Sequence, residues 1–209
     1  MQYVLRIRRA AMLVIGLTGG IGSGKSTVSV MLAELGAPIL NADLVGHEAY
    51  LPHQNVWQVV VEAFGRGILN EREEVDRRKL GALVFEDPEA LKRLNQIVHP
   101  WMYRRMEGLL QDLKHRGTQV VVLEAAVLIE AGWAPLVDQV WVTVASDENV
   151  VKRLQARNGL TEEQVLSRIK TQMPSEERLR HANAVIDTNG TVEEVRAQVR
   201  QLWNVKVPV

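Results

Sequence analysis

The sequence contains no cysteine. That removes disulfides, thiolate zinc sites, iron–sulfur clusters and cysteine nucleophiles together, and it suits a reducing compartment. An excess of either charge is also missing: 25 Lys plus Arg offset 25 Asp plus Glu, for a formal net charge of zero. A generic nucleic-acid binder carries surplus positive charge, so that class is disfavoured. No apolar run reaches the roughly 18 residues that cross a bilayer, and no internal repeat or low-complexity tract is present. What remains is a 209-residue chain that is 46% apolar, enough for a sizeable core and incompatible with global disorder. The expectation is a cytoplasmic protein, monomeric or a weak homo-oligomer. It would act on a small molecule, with neither nucleic acid nor membrane as partner.

Arg6, Arg8 and Arg9 precede an apolar run from Ala10 to Leu17, which superficially resembles a secretory leader. The run passes directly into TGGIGSGKST without a small-residue cleavage site, so residues 12–17 read as a buried strand. Residues 1–11 are expected to be an N-terminal extension, Met12 is a candidate initiator, and 12–209 are expected to form one domain.

Short Val-rich runs alternate with helical patterns, as in a parallel α/β sheet. The strand candidates are MLVIGL (12–17), PIL (38–40), QVVVLEAA (119–126), QVWVTV (139–144) and AVID (184–187). They are apolar throughout rather than alternating, which suits strands covered on both faces. Residues 44–115 read as helices, broken near Pro52, at Gly65-Arg66-Gly67 and at Asp87-Pro88, where an Asp cap precedes a proline at the first helical position. Residues 146–183 also read as helical, with Thr161 capping one helix and Met173-Pro174-Ser175 marking a break.

Gly19 to Thr27 reads GGIGSGKST and matches the G-x-x-x-x-G-K-[ST] phosphate loop. Gly19, Gly22 and Gly24 let the backbone turn and aim N–H groups at phosphate oxygens, and a helix starting near Lys25 adds the positive end of its dipole. Lys25 would neutralise the outer phosphates, and the Ser26 hydroxyl would be a magnesium ligand. An apolar strand before the loop and the periodic Val28, Met31, Leu32 and Leu35 after it supply the required setting, with Gly36 ending the helix.

A phosphate loop does not name a reaction. A guanine-nucleotide switch would read its base with an N-K-x-D segment, yet none of the seven lysines has Asp two positions later. Asp43 follows the second strand, at the edge where parallel sheets present ligands. It is a candidate base for an attacking hydroxyl; as a residue type it equally suits the N-cap of a helix over 44–50. Arg153 and Arg157 fall on one helical face, as a cationic lid over a triphosphate requires. They equally suit a solvated face paired with acidic neighbours. Two readings other than the one below stay open on these grounds: another nucleoside or nucleotide kinase, and a nucleotide-binding regulatory module without transfer.

From about Leu13 to Val199 the chain resembles the dephospho-coenzyme A kinase family. The resemblance is carried by LTGGIGSGKSTV (17–28), NAD (41–43), VDRRKLGALVF (75–85), LNQIVHP (94–100), EAAVLIEAG (124–132), RNGLTEEQVLSRIKTQMP (157–174) and VIDTNGTVEEV (185–195), in order and spacing. It implies a three-layer α/β P-loop kinase fold with a five-stranded parallel sheet, a helical acceptor-binding insertion (about 44–115) and a helical lid (about 146–183). It implies ATP and Mg2+ as cofactors, and transfer of phosphate to the ribose 3′-hydroxyl of dephospho-coenzyme A, giving coenzyme A and ADP. Gly22, Ser23, Gly24, Lys25, Ser26 and Thr27 would hold phosphates and magnesium, and Asp43 would be the base. Arg153 and Arg157 would contact ATP, while Arg77 and His99 match positions of the acceptor insertion. Asn41 stands where the family usually has Asp, which removes one charge near the metal but keeps a hydrogen-bond acceptor. Glu124 and Ala126 replace a usual Asp and Pro. The five tryptophans (57, 101, 133, 141 and 203) read first as core or helix-packing residues, with Trp57 or Trp101 in the insertion as the alternative border of the acceptor, and His47, His53, His115 and His181 receive no role.

Overall fold

The computed structural model describes residues 12–85 and 87–207, so the extension expected at 1–11 lies outside the described residues. Five strands, β1 (Leu13–Gly19), β2 (Ile39–Asn41), β3 (Val120–Glu124), β4 (Gln139–Val144) and β5 (Ala184–Asp187), form one sheet in the order β2-β3-β1-β4-β5. The pairs β1·β3, β1·β4 and β4·β5 are parallel, with Ile15 opposite Val122 on one side and Gln139 on the other. All five coincide with the apolar runs read from the sequence. Their Val and Ile content fits because β1 lies between two neighbours and is buried along nearly its whole length.

Helices α1 (Lys25–Glu34) and α9 (Val192–Lys206) cover one face of the sheet. Ile15, Leu17, Val122, Trp141 and Ile186 from the strands meet Val28, Met31 and Leu32 of α1 and Val195 and Val199 of α9 in one apolar cluster. Each such large side chain contributes about 1.5–3 kcal/mol by leaving water. On the opposite face Gly16 admits Leu128, whose Cδ2 would lie 2.7 Å from any Cβ added there. Gly36, at φ 98°, turns the chain out of α1, and Ala37 N–H closes that end on the Leu32 carbonyl.

Between β4 and β5 run α6 (Asp147–Asn158), α7 (Glu162–Lys170) and α8 (Ser175–Leu179). Ser146 caps α6, Gly159 in the left-handed region ends it, and Thr161 with Gln164 forms a capping box on α7. Val150, Val151, Leu154 and Val165 give α6 and α7 a small core of their own.

Residues 12–40 with 112–207 form one compact unit, and residues 41–111 a second. The second unit holds α2 (Ala42–Glu48), α3 (Asn55–Phe64), α4 (Arg77–Phe85) and most of α5 (Pro88–His115). Asp87 caps α5 as its sequence suggested, its Oδ1 accepting from the N–H groups of Glu89 and Ala90 at 2.9 and 3.2 Å. Leu94, Val98, Met102, Met106 and Leu110 make a buried stripe at four-residue spacing along α5. His99 and Pro100 lie inside this helix. The stripe continues past the proline on both sides, and its burial keeps the helix intact. The N-cap of α2 is Asn41, not Asp43: Asn41 is extended and its Oδ1 accepts from Leu44 N–H at 3.1 Å. Asp43 therefore sits in the first turn of α2, where a carboxylate is favoured by the helix dipole.

Candidate active site

The phosphate loop leaves β1 at Gly19, where only glycine fits. An added Cβ would lie 2.1 Å from Thr143 Oγ1 and 2.5 Å from Ser23 Oγ. Gly22 (φ 69°) and Gly24 (φ 81°) occupy the left-handed region that residues with a Cβ rarely adopt. Gly24 is also the N-cap of α1 and offers no side chain to the first amides of the helix. Those amides stay available to an external anion.

The loop's carbonyls are turned the other way, each onto a donor. Gly20 C=O accepts from Ser23 N–H at 3.2 Å, and Gly24 C=O accepts from the N–H groups of Thr27 and Val28. Arg153 Nη1 donates to Gly22 C=O at 3.1 Å, and the Thr188 hydroxyl donates to Ser23 C=O at 2.9 Å. With these four carbonyl oxygens engaged, the loop presents positive dipole ends to a ligand.

Ser23 is buried, its hydroxyl 2.7 Å from that of Thr143, so its side chain belongs to the scaffold of the loop. Ser26 and Thr27 are exposed in the first turn of α1. Lys25 Nζ lies 2.9 Å from Glu124 Oε1, at the C-terminal end of β3, with side-chain exposures of 13% and 5%. A nearly buried ammonium paired to one carboxylate is a cation ready to exchange that partner for a phosphate oxygen.

Arg153, on α6, does more than place a charge near the loop. Besides Gly22 it bonds Thr188, through Nη1 to the hydroxyl at 3.0 Å and through Nη2 to the carbonyl. It thereby ties the loop after β5 to the phosphate loop. Arg157 is exposed, its Nε donating to Asn158 Oδ1 at 2.9 Å. The structure thus brings Gly22–Thr27 and Arg153 together and places Arg157 on the surface of α6.

Within the second unit Asp43 and His47 stand one turn apart on α2, and Arg77 Nη1 contacts His47 Nε2. Arg105 pairs with Glu48 at 2.8 Å. Tyr50, beside these groups, has its phenol pushed above the ordinary value by burial, an effect the nearby Arg77 charge opposes. His99, on α5, is held below the ordinary imidazole value by burial. Trp57 is turned into its own unit, its Nε1 donating to Glu73 C=O at 2.9 Å. The sequence reading missed His47 as the partner of Arg77. It missed Thr188 as a brace, and it noted Glu124 only as a departure. The signal available for Glu124 was its place: the end of the strand paired to β1, at the register of Leu17.

A parallel sheet whose central strand feeds a glycine-rich loop, a largely buried lysine and a helix N-terminus defines a P-loop nucleotide-binding protein. Known proteins narrow that class. A model of the family described as dephospho-CoA kinase matches residues 13–194. A dephospho-CoA kinase of Geobacillus kaustophilus is 46% identical over 187 residues, covering 90% of this chain and 93% of that protein. A crystal structure of a Thermus thermophilus protein shares 34% identity at a TM-score of 0.80, covering 95% of this chain and 99% of that one. A Campylobacter jejuni dephospho-CoA kinase shares the fold at a TM-score of 0.70 with 23% identity, over 93% of this chain and 96% of its own. The chain belongs to the dephospho-CoA kinase family. It is a nucleotide-binding kinase of coenzyme A biosynthesis and uses ATP. Among the described residues, no helix is long and apolar enough to cross a membrane.

Proposed function

We propose the following division of labour for phosphoryl transfer from ATP to the ribose 3′-hydroxyl of dephospho-coenzyme A. The observation that carries it is the inward capture of the phosphate loop's carbonyls, which turns its amides and Lys25 toward an anion. Gly22 and Gly24 bind phosphate through backbone N–H groups, together with the first-turn amides of Lys25 and Ser26, while Ser23 and Thr27 shape the loop through their N–H bonds to the Gly20 and Gly24 carbonyls. Lys25 leaves Glu124 for the outer phosphates as the nucleotide enters. The residues present suit Mg2+ as well: the Ser26 hydroxyl is exposed beside the loop, and when bound the ion would neutralise charge shared by the outer phosphates. Arg153 brings guanidinium charge to the rim of the loop, and Arg157 supplies a second cation from the same helix.

Asp43 takes the proton of the attacking hydroxyl. Support for this comes from its position two residues past the end of β2, in the first turn of α2. There it follows the strand edge at which parallel sheets present ligands. Arg77, held by His47, is the cation offered to the anionic acceptor, and His99 belongs to the same unit. The transition state is loose, so positioning and charge carry most of the acceleration and the base contributes about 10²–10⁴-fold.

The test is ADP release with MgATP, comparing dephospho-coenzyme A with a panel of nucleosides and nucleotides, and with Lys25→Ala as the blank. Transfer is expected only with dephospho-coenzyme A and only with Lys25 present. Asp43→Asn is expected to lose at least about 100-fold in kcat while nucleotide binding persists. Retained turnover in that variant would overturn the assignment of the base.

A further inference from the structure

The connector between α7 and α8 is fastened to the phosphate loop by one directional bond. Gln172 Oε1 accepts from Ile21 N–H at 2.8 Å. From the far side of the same connector comes Arg178, 2% exposed, whose Nη2 donates to Glu130 at 3.0 Å. Both side chains close on Gly20: a Cβ placed there would lie 3.4 Å from Gln172 Oε1 and 3.5 Å from Arg178 Nη1. A cavity of about 70 Å³, lined by Gly20, Ile21, Thr143, Gln172 and Arg178 among others, separates the connector from β4. Buried Arg178 Nε has no hydrogen-bond partner among the described residues, so the arginine is held chiefly by Glu130.

Holding the lid helices together does not need the Gln172 bond, because α6 and α7 already share an apolar core of Val150, Leu154 and Val165. What the bond does fix is the peptide plane between Gly20 and Ile21. The orientation of a planar peptide is set by one soft dihedral on either side, and here the residue before it, Gly20, is a glycine with little intrinsic preference. Within the loop the Gly20 carbonyl of the same peptide accepts from Ser23 N–H at 3.2 Å; Gln172 adds the long-range anchor on its amide side. The choice of side chain fits the setting. A neutral amide supplies the acceptor, whereas a carboxylate at the same place would set a negative charge against the incoming phosphates.

We infer that Gln172 is a positioning residue for phosphoryl transfer, fixing the outer part of the phosphate loop through the Ile21 amide and so governing the rate of transfer rather than acceptor affinity. The full-length chain with Gln172→Met keeps the side chain's length and loses the acceptor. In steady-state assays its kcat is expected to fall about tenfold, the equivalent of one net hydrogen bond. KM for dephospho-coenzyme A should stay within twofold, and exchange of the Ile21 amide should quicken in the same variant. Gln172→Glu keeps the bond: Ile21 protection and kcat stay near wild type, while KM for ATP rises severalfold through charge repulsion. Gln172→Asn, one methylene short, should repeat the Met result and serves if the Met variant does not fold. A faster-exchanging Ile21 amide with kcat within twofold of wild type would overturn the inference. So would a fall in kcat with Ile21 exchange unchanged.

Discussion

Lys25 and Glu124 form an ion pair at the foot of the phosphate loop, and its strength follows from its geometry. At 2.9 Å, an effective dielectric of about 20 gives an attraction of about 6 kcal/mol before desolvation is subtracted. Removing one partner of a buried pair costs about 3–5 kcal/mol, because the other is left in a poor solvent. Glu124 is the more buried of the two, at 5% against 13%, so Lys25→Met is expected to be the worse lesion, at about 3 kcal/mol. Glu124→Gln keeps an acceptor for the ammonium and should cost about 2 kcal/mol. For a chain of this size each kcal/mol lowers Tm by about 2–4 °C, so scanning calorimetry should separate both variants from wild type. The double variant decides the matter. If the charges are coupled, Lys25→Met with Glu124→Gln melts above the sum of the two losses, recovering about 1–2 kcal/mol. Strict additivity, or single losses below about 0.5 kcal/mol, would show that solvent has already screened the pair and would refute the reasoning.

Gly19→Ala is expected to damage the protein more than an ordinary glycine substitution. The new Cβ would meet Thr143 Oγ1 at 2.1 Å and the Thr143 carbonyl at 2.8 Å, and the carbonyl cannot swing away. Loss of ATP binding, or of soluble folded protein, is the expected result, read by nucleotide titration and circular dichroism. His99 gives a pH-dependent stability of definite sign. Burial lowers its folded value below the ordinary imidazole value of 6.5, so the unfolded chain takes up the proton first. The stabilisation is complete above that value and is lost as pH falls through it. Thermal melts at pH 7.5 and 5.5 should therefore show a smaller decline for His99→Gln than for wild type, and equal declines would exclude the burial effect.

How much of this was legible in the sequence follows from the range of the forces involved. Strands β1, β3 and β4 were legible because each is a short apolar run buried along most of its length; β2 and β5 were legible as apolar runs too, although β2 is only partly buried and β5 alternates buried and exposed residues. The phosphate loop was legible because the glycine spacing is imposed by one local backbone path. Asp43 as an N-cap gave way to a local competitor: the helix starts at Ala42, so Asn41 takes the extended cap position and accepts from the Leu44 amide three residues on. Pro100 lies inside α5, where the burial of Met102 and Met106 beyond it holds the helix together. The braces of the site were illegible for a different reason. Gln172 to Ile21 spans 151 residues, Arg153 to Gly22 spans 131, and Thr188 to Ser23 spans 165. No periodicity or local spacing encodes pairs so distant in the chain.

These long-range braces bear on how rate enhancement is achieved. A site that stabilises developing charge works best when its dipoles are already aligned, since aligning them during the reaction would add to the barrier. In this loop the alignment is set by groups that need never touch the substrate: Thr188 on the Ser23 carbonyl, Arg153 on the Gly22 carbonyl and Gln172 on the Ile21 amide. On the proposed division of labour Arg153 carries two loads, holding backbone, as its bonds to Gly22 and Thr188 show, and supplying charge. Removing its side chain would release the Gly22 carbonyl toward the phosphates and delete a cation in the same step. Substitution by lysine separates the two. One ammonium keeps the charge but cannot reproduce the fork that spans Gly22 and Thr188. Whatever activity lysine fails to restore measures the bracing alone.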